Sequence, residues 1–159
     1  MNDQRIQFGT DGWRALLGSQ INLETMSLVA QAFVDTLPEI TQGESREIII
    51  GYDGRQDSDI FALQFARIAL ANDWKPILSD RIIPTPVVSF TTKDRSARAG
   101  VMITASHNPA EYNGIKFKSS AGAPFSSEMT TAVEQNLGVH PVKHVENPIQ
   151  TRDLWSPYR

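Results

Sequence analysis

Ser106, within Thr104-Ala105-Ser106-His107-Asn108-Pro109, is the residue whose setting first suggests chemistry. It follows Val101-Met102-Ile103-Thr104, a short apolar run that reads as a buried strand. A hydroxyl at that point is held at the rim of a sheet and can act as a nucleophile or phosphate carrier. The alternative is that it satisfies a nearby backbone N–H, as turn serines ordinarily do. The flanking Thr104 and Asn108 exclude the G-x-S-x-G elbow. His107 can be a base or a donor, but neighbours in sequence rarely point at each other's reactive atoms, which favours a supporting role. Lys116 stands ten positions after Ser106, beyond Glu111-Tyr112-Asn113-Gly114. With Lys118 it shares one face of a strand over 115–118. If the intervening turn folds back, one lysine points at the serine loop; otherwise both are solvated on an edge strand.

Other segments carry weaker signals. Phe8-Gly9-Thr10-Asp11-Gly12-Trp13-Arg14 offers two glycines and an arginine. Glycines let backbone N–H groups approach an anion, and the guanidinium fork suits phosphate. The segment is neither a Walker loop nor G-x-G-x-x-G, and a capped β-turn explains it equally. In Tyr52-Asp53-Gly54-Arg55 the carboxylate and guanidinium pair most simply with each other and order their own loop. His140 and His144 have metal-ligand spacing for a helix, but Pro141 and Pro148 argue for a solvated tail.

Elements that alternate in type must position these loops. Asn22 caps a helix whose apolar face is Leu23, Met26, Ala30, Phe33, Val34 and Leu37, with Pro38 at its far end. Ile48–Ile50 reads as a buried strand. A second helix starts at Asp57 or Ser58, and Pro76-Ile77-Leu78 forms the next strand. Thr85 caps a third helix with Pro86 at its first position. After strands 101–104 and 115–118, Ser126 or Ser127 caps a last helix that Gly138 ends. This alternation predicts a three-layer α/β/α domain with a four-stranded, mainly parallel sheet. Residues 1–137 form the domain, and 138–159, with Pro141, Pro148 and Pro157, read as a linker. In open sheets of this kind, ligands gather at the carboxyl ends of strands, where the serine loop falls.

Composition narrows the classes. The chain has 159 residues, 15 Lys+Arg against 18 Asp+Glu, and a net charge of -3, so no basic field marks a nucleic-acid or membrane partner. The absence of cysteine excludes disulfides, thiol nucleophiles and cysteine metal sites. No apolar run is long enough to span a bilayer, and the polar start lacks a signal-peptide core, so the expected location is cytoplasmic.

Taken together, the motifs resemble the α-D-phosphohexomutases (phosphoglucomutase/phosphomannomutase). Phe8–Arg14 resembles their N-terminal signature, and Thr104–Pro109 resembles their phosphoserine loop, continued by Tyr112-Asn113-Gly114-Ile115-Lys116-Phe117. Tyr52–Arg55 and Pro84-Thr85-Pro86 fall in the expected order, and the likeness runs from Arg5 to Leu137. The resemblance implies that the last strand is antiparallel, making the sheet mixed. It implies that hexose 1-phosphate and hexose 6-phosphate interconvert through phospho-Ser106 and a bisphosphorylated sugar, with hexose 1,6-bisphosphate as activator. Lys116 is then the general base, Arg14, Asn108 and Lys116 bind phosphate, and His107 assists. Mg²⁺ binds phospho-Ser106, completed by an aspartate loop that this sequence lacks. The expectation is therefore an inactive first domain of a longer enzyme, able to self-associate through surfaces its neighbours would cover. A phosphoglucosamine mutase domain is an alternative, although that group typically carries Ile where this chain has Trp13. A non-catalytic binding or regulatory module of the same fold is another.

Overall fold

The computed structural model describes residues 6–9 and 12–159. Thr10, Asp11 and Arg5, which belong to the N-terminal resemblance, lie outside the described residues. The elements in chain order are β1 (Trp13–Leu16), α1 (Leu23–Ile40), β2 (Glu47–Tyr52), α2 (Ser58–Ala71), β3 (Lys75–Ser79), α3 (Thr85–Asp94), β4 (Ala99–Ile103), β5 (Tyr112–Lys118), α4 (Ser127–Gln135), β6 (Thr151–Arg152) and α5 (Trp155–Tyr158). They form one sheet in the order β1-β5-β4-β2-β3-β6. β2, β3, β4 and β6 run parallel, β5 is antiparallel to β4, and β1 is antiparallel to β5.

The sheet has six strands where the sequence pattern predicts four. The two additions have little pattern of their own. β1 carries Arg14 among four residues and is defined by its pairing, Trp13 opposite Ile115 and Arg14 opposite Gly114. β6 is two exposed residues in a proline-rich stretch, paired with Leu78 and Ser79. β1 pairs with residues 112–115 of β5, and Lys118 beyond it is bridged to Pro124, so the lysines of β5 do not stand on a solvated edge. Lys118 is buried and Lys116 half-buried.

Alternation along the strands divides the core in two. Ile48, Ile50, Leu78, Val101, Ile103, Ile115 and Phe117 pack against α1, α2 and α4. Ile49, Ile77 and Met102 turn the other way, onto α3 through Val87 and Val88. Period-2 strands with both faces covered read as continuous apolar runs, as Ile48–Ile50 does. On the first face Phe33 is the hub, its ring 4.5 Å from that of Phe117 and 5.4 Å from that of Phe65. Among the described residues no helix is long and apolar enough to cross a membrane.

Helix ends follow local chemistry. Asn22 and Thr25 form a reciprocal capping box on α1, which runs two residues past its expected end at Pro38 and keeps that proline in its last turn. There the missing N–H removes a single intrahelical bond. Ser126 caps α4 through Met129 N–H. The segment 138–159, read as linker, supplies β6, α5 and the buried Leu154, with Trp155 packed beside it. Asp153 organises this end by accepting from Trp155 N–H, Ser156 N–H and the Ser156 hydroxyl. His140 instead pairs with Asp35 and His144 with Glu146. Among the described residues, no group of three His, Cys, Asp or Glu gathers around a common point.

One ion pair ties β2 to the loop after α3. Arg95 donates to both carboxylate oxygens of Glu47, at 3.0 and 2.9 Å. This hydrogen bonding, aided by the guanidinium charge against opposing desolvation, holds the Glu47 carboxyl below its ordinary value. A lowered folded-state pKa contributes stability above the unfolded carboxylate value of about 4.3. That contribution disappears as pH falls through the folded value. Thermal melts between pH 7 and pH 3 should show a smaller acid-induced loss in Glu47→Gln than in the parent chain.

Candidate active site

The serine loop leaves β4 at its carboxyl end, the location expected for ligand binding. Thr104 N–H donates to Gly114 O, extending the β4–β5 pairing by one residue. The Thr104 hydroxyl then accepts from Ser106 N–H at 2.9 Å, and Asn108 N–H closes the turn onto Ala105 O. Ser106 has φ 57°, in the left-handed region that a non-glycine residue occupies only when its surroundings compel it.

Arg55 clasps this turn from outside. Its guanidinium donates to the main-chain oxygens of Ser106 and Asn108 at 2.8 and 2.6 Å through Nη2. Through Nη1 it reaches Pro109 O at 2.8 Å and Tyr112 O at 3.0 Å. Asp53 lies 3.6 Å from Arg55 Nε, accepts from Arg55 N–H, and accepts from the buried Ser58 hydroxyl at 2.8 Å. Asn113, fully buried, donates to Gln56 O and to the Ser58 hydroxyl. The Tyr52–Arg55 turn thus does pair internally, and it also holds the serine loop.

Arg14 reaches the same loop from β1, its Nη1 donating to the Asn108 side-chain oxygen at 2.8 Å. Arg14 is opposite Gly114, and Thr104 is bonded to Gly114 from the other side, so the three positions form one row across β1, β5 and β4. Lys116 lies two residues along β5, opposite Met102, and so shares that sheet face. It lines a small pocket with Phe8, Gly9 and Gly12. His107 is exposed beside Ser106. The structure therefore gathers Ser106, His107, Asn108 and Arg14 at one sheet end, with Lys116 farther along the same face. Arg55 and Asn113 are the residues whose part in the site the sequence pattern did not assign. The one signal was an arginine just after β2, and only the adjacency of β2 and β4 gives it meaning.

Two glycines permit this assembly. A Cβ on Gly114 would lie 2.2 Å from Trp13 O and 3.0 Å from Thr104 O. Gly12 has φ 93°, and a Cβ there would meet Ile115 O at 2.2 Å.

A serine loop clamped at the carboxyl edge of a mixed sheet, with Arg14 and Lys116 on the same sheet face, thus stands on a three-layer α/β/α domain. The chain belongs to the phosphoglucomutase/phosphomannomutase family: the family model for "alpha/beta/alpha domain I" matches residues 5–139. It is 37% identical over 157 residues to a phosphoglucomutase from Staphylococcus epidermidis, covering 95% of this chain and 28% of that protein. It is 37% identical over 133 residues to a phosphoglucosamine mutase from Thermobifida fusca, covering 82% of this chain and 29% of that protein. A Thermus thermophilus protein whose crystal structure carries the name phosphomannomutase superposes with a TM-score of 0.87 at 32% identity, over 97% of this chain and 34% of that one. The chain thus spans between a quarter and about a third of the length of these relatives.

Proposed function

We propose that this chain is the phosphoserine-bearing domain of a phosphohexomutase that interconverts hexose 1-phosphate and hexose 6-phosphate. The observation that carries the reading is Ser106 itself, a hydroxyl in a strained, externally clamped loop at the carboxyl edge of β4. In the forward half-reaction the bond from phosphorus to Ser106 Oγ breaks as a bond to a sugar hydroxyl oxygen forms. The hydroxyl proton passes to Lys116 Nζ. The resulting bisphosphorylated sugar turns over and returns its other phosphoryl group to Ser106. Phosphoryl transfer depends chiefly on positioning and on offsetting oxygen charge. Arg14 supplies positive charge, Asn108 and His107 supply donors, and Arg14 also orients Asn108.

Mg²⁺ belongs to the proposal only through phospho-Ser106. The described residues make no carboxylate cluster for it, so they do not fit a complete site. No step derived from these residues runs through the ion. With its share of charge stabilisation alone, the 159-residue chain is expected to be inactive as a mutase.

Intact-mass measurement with peptide mapping, on the natural polypeptide after incubation with a hexose 1,6-bisphosphate, tests the carrier. One phosphate on Ser106 is expected; a single phosphate mapped to another residue ends the assignment. Lys116→Met should lower kcat more than it raises KM, because a base acts in the transition state. An unchanged kcat in that variant would keep Ser106 as carrier and discard Lys116 as base.

A further inference from the structure

Arg55 occupies an unusual place in this site, because its guanidinium is directed almost wholly at main-chain oxygens. A guanidinium has five N–H donors in one plane. Four hydrogen bonds run to the carbonyls of Ser106, Asn108, Pro109 and Tyr112, at 2.6–3.0 Å. The remaining Nε faces Asp53 Oδ2 at 3.6 Å. A phosphate could be bound only by giving up one of these partners. Arg14 is differently placed, with Nη1 on a side-chain oxygen of the loop. The Arg55 side chain is largely enclosed, at 16% exposure, as expected of a brace more than of a ligand-gathering cation.

The loop it braces has few hydrogen bonds of its own. Thr104 and Ala105 provide two, and Tyr112 N–H closes the far side onto Pro109 O. Ser106 is the second residue of the turn that Asn108 N–H closes on Ala105 O, a position that takes a left-handed backbone in primed turns. The Arg55 clasp adds to this by fixing the Ser106 carbonyl, in the 106–107 peptide, and the Asn108 carbonyl, in the 108–109 peptide, at a common point.

We propose that Arg55 is a positioning residue for phosphoryl transfer: it sets the backbone of 106–112 so that the Ser106 hydroxyl meets the phosphoryl group in line, and it does not contact that group. The proposal rests on the reading of Ser106 as carrier. Lysine cannot replace Arg55 in this work, since one ammonium keeps the charge but lacks the planar fork that spans four carbonyls.

The test compares Arg55→Lys with the parent in the natural polypeptide. The readouts are kcat, KM for hexose 1-phosphate, the rate of phosphate loading onto Ser106 from hexose 1,6-bisphosphate, and amide hydrogen exchange. Misplacement of a reacting group by about 1 Å costs on the order of 100-fold. We therefore expect kcat and the loading rate to fall about 10–100-fold, with KM changed by less than about 3-fold. Exchange should rise in 105–112 and stay unchanged in β2 and β3. A raised KM with parental kcat would make Arg55 a phosphate ligand and overturn the proposal, as would parental values throughout. If Arg55→Lys does not fold, Asp53→Asn replaces it, keeping an acceptor for Ser58 while removing the charge beside Nε. That variant should lower kcat at least about 3-fold without raising KM, and parental kcat would overturn the proposal. Phosphate mapped away from Ser106 in the parent would remove the underlying reading instead, and the mapped site distinguishes the two failures.

Discussion

Ser106→Ala in the natural polypeptide should lose the covalent phosphate and at least about 10⁴-fold of turnover, the scale on which nucleophile deletions act. The fold should survive, and the structure says why. The hydrogen bonds that hold Ser106 in its loop use its backbone N–H, on the Thr104 hydroxyl, and its backbone carbonyl, on Arg55. Alanine keeps both. It meets the same left-handed backbone that serine already tolerates. Stability should therefore move by no more than about 1 kcal/mol. Loss of activity with an unchanged melting temperature separates a chemical role from a structural one. Full activity in this variant would end the carrier assignment.

Gly114→Ala should produce the largest structural effect. Its Cβ would sit 2.2 Å from Trp13 O, 3.0 Å from Thr104 O and 3.1 Å from Arg14 Cα. All three are backbone atoms of strand-forming segments, so no flexible side chain can swing aside. β1 must separate from β5, and the register that places Arg14 opposite position 114 is lost with it. Overpacking of this kind costs about 1–3 kcal/mol and occasionally more. We expect the upper end, about 3 kcal/mol. For a chain of this size each kcal/mol lowers the melting temperature by about 2–4 °C. Hydrogen exchange should rise first in residues 13–16, and phosphoryl transfer should fall because Arg14 no longer orients Asn108. A melting temperature equal to the parent's would contradict the proximity of these strands.

Much of this architecture was legible in the residues. Ile48–Ile50 and Val101–Ile103 are apolar on both faces, and strands of that kind occur where helices cover both sides. Asn22 and Ser126 mark helix starts because their side chains compete for backbone N–H groups. The serine loop was also readable, since a hydroxyl and an amide after a buried strand have few other places to be. The edges were less so. β1 and β6 are strands only because β5 and β3 pair with them, and two to four residues carry no period that could announce this. Arg55 was read as a partner of Asp53, which it is, at 3.6 Å. Its four bonds to the serine loop depend on β2 lying beside β4, and strand order is not written in the spacing of apolar residues.

The clasp has a consequence for the order of events during folding. Arg55 lies 51 to 57 positions before the carbonyls it holds, across α2, β3, α3 and β4. Closing a contact over such a distance carries an entropy cost that local turns avoid. The serine loop can therefore gain its working shape only after β2 and β4 are side by side. A nascent or partly folded chain contains every residue of the loop but not its clasped conformation. The shape of the loop is thus a property of the completed sheet, absent from any chain that has yet to pair β2 with β4.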